Sequence, residues 1–341
     1  MDRRSALQSL LALGAAPWVG TSRAEAPDLT LIRINIPGPH LLPFVPVELI
    51  PLLGIDQALG AHLAIRYLPS GVQSLESVVA GDAHFAGTGF SVMPTFVARG
   101  KPVVALATLS SGMPPYAVLV RNDLARKIRS LKDLTGRSIG IPLGSTTSKT
   151  YLQVLMELWL DSYGVKSDQV RWVPVNMNMD GMYGALASGS VDAVFCEEPL
   201  SGTLVRKKIG TQLASLADPR NPAHILGRQH LRAVIASTPD IVSSNPKRAE
   251  QMVHMLQRSM QWIRKTPPTE VVAKLGIQDA EQAHDIANAI KRLPNLYSPD
   301  GRFGDKEIQS TRQFLDASAV PLPPGFDIRA LIDDRWVRGT R

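Results

Sequence analysis

Ile139-Gly-Ile-Pro-Leu-Gly-Ser-Thr-Thr-Ser-Lys-Thr150 runs from a short apolar strand, through a turn, into a run of hydroxyls ahead of a helix. Gly144 permits a tight turn, and Ser145, Thr146, Thr147 and Ser148 carry side-chain oxygens suited to capping. Beyond them Tyr151, Leu152, Leu155, Leu158 and Trp159 recur at helical spacing, which predicts a helix with one buried face. Its N-terminus would then emerge past the end of the strand. The first backbone N–H groups of a helix lack intrahelical partners and carry the positive end of its dipole, so this place favours an anionic or strongly polar small group. Capping alone would account for the hydroxyls equally well, and the choice rests on the surrounding chain.

Upstream the same strand–turn–helix pattern repeats. Leu29 to Ile36 alternates and is rich in β-branched residues, as a first strand should be, and Pro37-Gly-Pro-His40 ends it. Pro46 to Leu59 is helical in composition but is expected to kink or divide at Pro51. His62 to Leu68 reads as a strand, Ser70 to Gln73 as the turn into a helix, and Gly81 to Gly89 as a strand entering the next helix, which closes at Gly100. Pro102 to Leu109 is one more strand. Repeated units of this kind imply a largely parallel sheet covered on both faces.

A second set follows Ser110: strands at Tyr116 to Val120, Ser138 to Pro142 and Val170 to Val175, with a short helix at Ser130 to Leu134. The polar loop from Asn176 to Met182 leads into a helix ending near Ser188-Gly189. Val79-Ala-Gly-Asp-Ala-His-Phe85 resembles Ala187-Ser-Gly-Ser-Val-Asp-Ala193 when the glycines are aligned. Two similar lobes are the economical explanation. Arg232 to Ser237 is a further strand, and from Asn245-Pro246, a cap and first-turn pair, the chain is expected to be helical to Ala317, broken at Pro267-Pro268, Pro294 and Pro299.

The 341 residues, 44% of them hydrophobic, suffice for a large core and favour two domains. The net charge of +7 is spread without a basic block, which gives no sign of nucleic-acid binding. Arg3-Arg4, an apolar run from Ala6 to Val19 and Ala24-Glu-Ala26 before Pro27 predict a cleaved signal peptide over residues 1–26 and a periplasmic mature chain. The segment resembles a twin-arginine signal, with Ala6 where that pattern prefers Phe, and Sec export also fits. It is too short to span a membrane. Cys196, the single cysteine, excludes an internal disulfide and a lipid anchor after the signal, and is expected to be a small buried residue.

Taken together, Ala80-Gly81-Asp82, Ser130 to Ile141, Gly144-Ser145-Thr146, Gly189-Ser-Val-Asp-Ala193 and Glu198-Pro199 resemble the extracytoplasmic solute-binding proteins of ABC importers. The resemblance runs from about Leu29 to Ile263 and is nearest the family of nitrate, taurine, aliphatic-sulfonate and thiamine-pyrimidine-precursor binders. It implies an α/β type II periplasmic-binding-protein fold of two lobes, each a mostly parallel sheet flanked by helices. The lobes would be residues 27–117 with 231–341, and 118–230, joined by strands crossing near Tyr116 to Val120 and Arg232 to Ala236.

The resemblance also implies a ligand pocket between the lobes, built from His40, Gln73, Thr88, Gly89, Ser110, Ser145, Thr146, Thr147, Asn178 and Glu198. No arginine or lysine falls at these positions, while Glu197 and Glu198 form one wall. A zwitterionic, cationic or neutral polar ligand is therefore as well accommodated as an anion. Glu198 capping its own loop is the plainer reading of that residue. The implied partners are a small-molecule ligand and the permease subunits of an ABC transporter, bound by a monomer, with no cofactor, metal or catalytic set. Enzymes of pyrimidine synthesis and menaquinone synthesis share related folds, so an enzyme, or a binder serving another transporter class, remains open. The chain carries no HExxH, GxSxG or phosphate-loop motif.

Overall fold

Ile32, Ile34 and Ile36 alternate with Arg33 and Asn35, and all three isoleucines are completely buried in the first strand. The computed structural model describes residues 30–110, 114–142, 149–218, 230–293, 296–317, 322 and 325–337. The strands are β1 (Leu31–Pro37), β2 (His62–Leu68), β3 (Phe85–Gly89), β4 (Val104–Thr108), β5 (Tyr116–Arg121), β6 (Ser138–Ile141), β7 (Arg171–Pro174), β8 (Ala193–Glu197), β9 (Gly210–Ser215) and β10 (Ala233–Ser237).

They form two five-stranded sheets among the described residues, ordered β2-β1-β3-β10-β4 and β7-β6-β8-β5-β9. In each sheet the first three strands are parallel and the fourth runs against both its neighbours. The two orders match position for position, β1 with β6, β3 with β8 and β10 with β5. The internal repeat thus has a structural form: Gly81 and Gly189 take left-handed φ angles of 87° and 71° at the helix ends that feed β3 and β8.

One expectation is corrected. The strands assigned to cross between lobes each belong wholly to one sheet: β5 pairs with β8 and β9, β10 with β3 and β4. Their apolar runs are buried almost throughout, and buried backbone needs ladder partners on both sides. The chain passes between sheets in the β4–β5 and β9–β10 connections instead.

The helices of the first half are α1 (Val45–Leu52), α2 (Ile55–Ala58), α3 (Gly71–Val79) and α4 (Met93–Ala98). The α1 region was expected to kink or divide at Pro51; Pro51 instead lies within α1, and the break falls at Leu53-Gly54, where Gly54 takes a left-handed φ of 66°. The second sheet carries α5 (Tyr151–Asp161), α6 (Met179–Ala187) and α7 (Leu200–Arg206). The hydroxyl run of the opening motif was expected to cap α5. The cap is Thr150, whose Oγ1 accepts from Gln153 N–H at 3.1 Å, and Ser145, Thr146, Thr147 and Ser148 lie outside the described residues.

The C-terminal helices are α8 (Pro239–Ser244), α9 (Pro246–Lys265), α10 (Pro268–Leu275), α11 (Ala280–Arg292) and α12 (Asp305–Ala317). Asn245 caps α9, and Met252, Met255, Leu256 and Ser259 are buried against the first sheet, with Ser259 Oγ donating to Pro46 O at 2.6 Å. α10 and α11 pack with α1. The last third of the chain therefore returns to the first sheet. No helix of the described residues is long and apolar enough to cross a membrane.

Candidate functional site

Between the sheets lies a cleft of two adjoining chambers, named by position along it: an inner one of about 140 Å³ beside the β4–β5 connection at Ser110 and an outer one of about 270 Å³ beside α7 and α11. The inner chamber is floored by the C-terminal end of β3, through Thr88 and Gly89, and by the start of α3 at Ser70 and Gly71. Gly71 suits the place: a Cβ would sit 3.0 Å from Thr88 Cα, so a larger residue would require the strand to give way by a few tenths of an ångström. Ser70 Oγ caps α3 by accepting from Gln73 N–H at 3.2 Å. The second sheet supplies Tyr116 at the start of β5 and Glu197 at the end of β8, which are register partners. Phe44, Leu41, Val92, Leu152 and Met177 make the remaining wall largely apolar.

The polar groups of this chamber are few and buried. Thr88 is fully buried, and its Oγ1 has no hydrogen-bond partner among the described residues. Ser110 Oγ accepts from Ala233 N–H at 3.0 Å, which ties the β4–β5 connection to β10. Arg232, 4% exposed, lines the chamber just ahead of β10. Glu197 is 7% exposed, and its Oε1 also lacks a partner among the described residues. Burial pushes its carboxyl up to about 8, against the opposing pull of Arg232 and with the help of Glu198. Cys196 behind it is completely buried and its thiol is raised by the same desolvation.

The outer chamber takes Glu197 again, with Glu198, Asn178, His40, Thr203 of α7, Lys207 just past its end, and Glu281 and Asp285 of α11. Most of its charges are already paired. Arg292 Nη2 lies 3.2 Å from Glu198 Oε2, and Asp285, 5% exposed, accepts from the Thr203 hydroxyl and the Arg206 guanidinium. His40 has a left-handed φ of 60°, with Nδ1 2.9 Å from Glu48 Oε2 and its N–H donating to Oε1 at 2.8 Å. That carboxylate raises the His40 pKa.

Of the expected site residues, Thr88, Gly89 and Ser110 meet in the inner chamber, and His40, Asn178 and Glu198 in the outer. Asn178 also caps α6, its Oδ1 accepting from Gly181 N–H at 2.8 Å. Gln73 lies in the first turn of α3 and lines neither chamber. Ser145, Thr146 and Thr147 are outside the described residues. The expected positions carry no arginine or lysine, but Arg232, outside that set, lines the inner chamber and Lys207 the outer. Reading Arg232 as an ordinary strand residue hid it, although an arginine opening an otherwise apolar run was a usable signal. Among the described residues no His, Cys, Asp or Glu cluster is arranged to hold a metal ion.

Solved structures with this architecture include a protein of Bordetella bronchiseptica RB50, 21% identical, with a TM-score of 0.78 over 91% of this chain and 96% of that one. The alkanesulfonate-binding protein SsuA from Xanthomonas axonopodis pv. citri, bound to MOPS, is 17% identical, with a TM-score of 0.69 over 89% and 98%. The periplasmic nitrate-binding protein NrtA from Synechocystis PCC 6803 is 15% identical, with a TM-score of 0.67 over 92% and 89%. These likenesses give the fold as the two-lobed type II periplasmic-binding-protein architecture. No curated protein matches the chain by sequence. The model of the NMT1-like family matches residues 50–277, more than half of the 341 residues, and the chain belongs to that family.

Proposed function

We propose that this protein is an extracytoplasmic solute-binding protein, which captures a small polar molecule between its lobes and delivers it to the permease subunits of an ABC importer. The observation that carries this reading is the cleft itself: a partly apolar chamber with a few buried polar groups, contributed by both sheets. A solute touching both walls binds the closed arrangement better than an opened one, and that difference in affinity drives closure. The similarity to binding proteins for alkanesulfonate and nitrate supports a binder over an enzyme. The lobes divide at the β4–β5 and β9–β10 connections, and the mature chain is a periplasmic monomer beginning near Pro27.

The test is purification of the exported chain followed by mass spectrometry of any co-purified solute. Small-angle scattering with and without that solute should show a smaller radius of gyration in its presence. A scattering curve unchanged at saturation contradicts capture between lobes. Intact mass of the exported protein checks the cleavage near Ala26.

A further inference from the structure

The two chambers differ in charge and share one ionisable residue. Inside are Arg232, the unpartnered Thr88 hydroxyl and the N-terminus of α3, a set that favours a hydrogen-bond acceptor or an anion. Outside, the carboxylates of Glu198, Glu281 and Asp285 are engaged by Arg292, Arg206 and Lys207. Glu197 lines both chambers, as do Leu41 and Met177, and its Oε1 is the buried carboxyl oxygen at that junction without a hydrogen bond among the described residues. A simple anion held at the inner end would leave the Glu197 carboxyl without a partner. A simple cation would satisfy Glu197 and meet Arg232. A solute carrying both charges at opposite ends satisfies the whole cleft.

We propose that the two chambers form one bipartite site for a dipolar organic solute. Its anionic or acceptor end points inward to Arg232 and Thr88. Its apolar middle lies between Phe44, Leu41 and Met177, and its ammonium or amidinium end lies at Glu197. This assignment rests on the binding-protein reading above.

The chemistry of Glu197 gives the assignment a pH signature. With no cation beside it, burial keeps the Glu197 carboxyl largely protonated at neutral pH. A cationic group drives the proton off, so affinity for such a solute rises as pH climbs from 6 to 8. The groups facing Glu197 are Arg232, Tyr116 across the ladder, Cys196 and Glu198 on either side, and Tyr297. Burial holds the Cys196 thiol and the Tyr297 phenol protonated across this range. His40, which lines the outer chamber, also has a raised pKa, but by pairing with Glu48. A Glu197 variant separates the two.

The experiment is calorimetry of the mature chain at pH 6, 7 and 8 with three probes sharing a benzene ring: 4-(aminomethyl)benzoate, benzoate and benzylamine. The zwitterion should bind at least roughly tenfold more tightly than either single-charge probe, and more tightly at pH 8 than at pH 6. Glu197→Gln should weaken the zwitterion by roughly tenfold to a hundredfold, abolish the pH dependence and leave benzoate unchanged. Arg232→Gln should weaken benzoate and the zwitterion together, with thermal melts checking that each variant is folded. Equal affinity for zwitterion and benzoate, an unchanged Glu197→Gln, or no binding of any probe overturns the dipolar assignment. If a co-purified solute still contracts the protein, the binding-protein reading stands without it. If no solute does, both fall.

Discussion

Asp285→Ala tests whether the contacts between α7 and α11 hold the two lobes in the arrangement described. α7 follows β8 of the second sheet, whereas α11 packs with α1 and α10 beside the first. Between them Asp285 accepts from Thr203 and Arg206, Glu281 Oε1 meets Arg206 Nη2 at 2.8 Å, and Glu281 Oε2 meets Lys207 Nζ at 2.6 Å. Asp285 is buried but the Arg206 side chain is 42% exposed, so water screens the pair and its share is held to about 1 kcal/mol or less. The Thr203 hydroxyl adds about 0.5–1.5 kcal/mol. Loss of both costs about 1–2 kcal/mol, which shifts the ratio of this arrangement to an opened one by roughly five- to thirtyfold. Small-angle scattering of the solute-free variant should give a larger radius of gyration than the parent, and high salt should move the parent in the same direction. A folded Asp285→Ala chain with superimposable scattering and unchanged solute affinity would refute a clasp at this place.

Three further outcomes follow from packing, capping and charge. Gly87→Ala would bring a Cβ within 2.6 Å of Phe44 Cε1 and 2.9 Å of Ile36 Cγ2, so urea unfolding should show a loss of about 1–3 kcal/mol. Thr150→Ala removes the α5 cap and should cost about 0.5–2 kcal/mol by the same assay, whereas Thr150→Ser should restore most of it. Glu48 raises the pKa of His40 above its ordinary 6.5, so this pair stabilises the fold fully below pH 6.5. The contribution is lost as pH rises through the higher folded-state value, and Glu48→Gln should flatten the profile of unfolding free energy over that range.

The elements legible in the sequence are those whose cause is local. The alternation of Ile32, Ile34 and Ile36 specifies a half-buried strand without reference to its neighbours, and Asn245-Pro246 specifies the start of α9 through its own capping geometry. The repeat was visible because a helix ending in the left-handed region calls for glycine, at Gly81 and again at Gly189. β9 had no such signal. Thr211 and Gln212 are exposed and polar, and Gly210–Ser215 is a strand because β5 offers it a ladder. The cap of α5 was hard to pick for a related reason: several adjacent oxygens cap equally well in sequence, and Thr150 takes the position because the helix that buries Leu155 and Trp159 starts just after it.

The site was partly legible, and the part that was not is its charge. Thr88, Gly89 and Ser110 could be placed because ligands meet the carboxyl ends of strands in open α/β sheets. Of two adjacent glutamates at the end of β8, nothing local says which reaches the inner chamber. Register decides it: Glu197 is the last residue of the strand, opposite Tyr116, while Glu198 follows it and turns to Arg292. Arg232 likewise stands immediately before an apolar strand, where an arginine usually marks a solvated end. Here that end is packed against α12 and the cleft, so a side chain that sequence alone assigns to water becomes a buried cation on the cleft wall. The preference of the cleft for charge thus depends on how two sheets are brought together, which no single strand encodes.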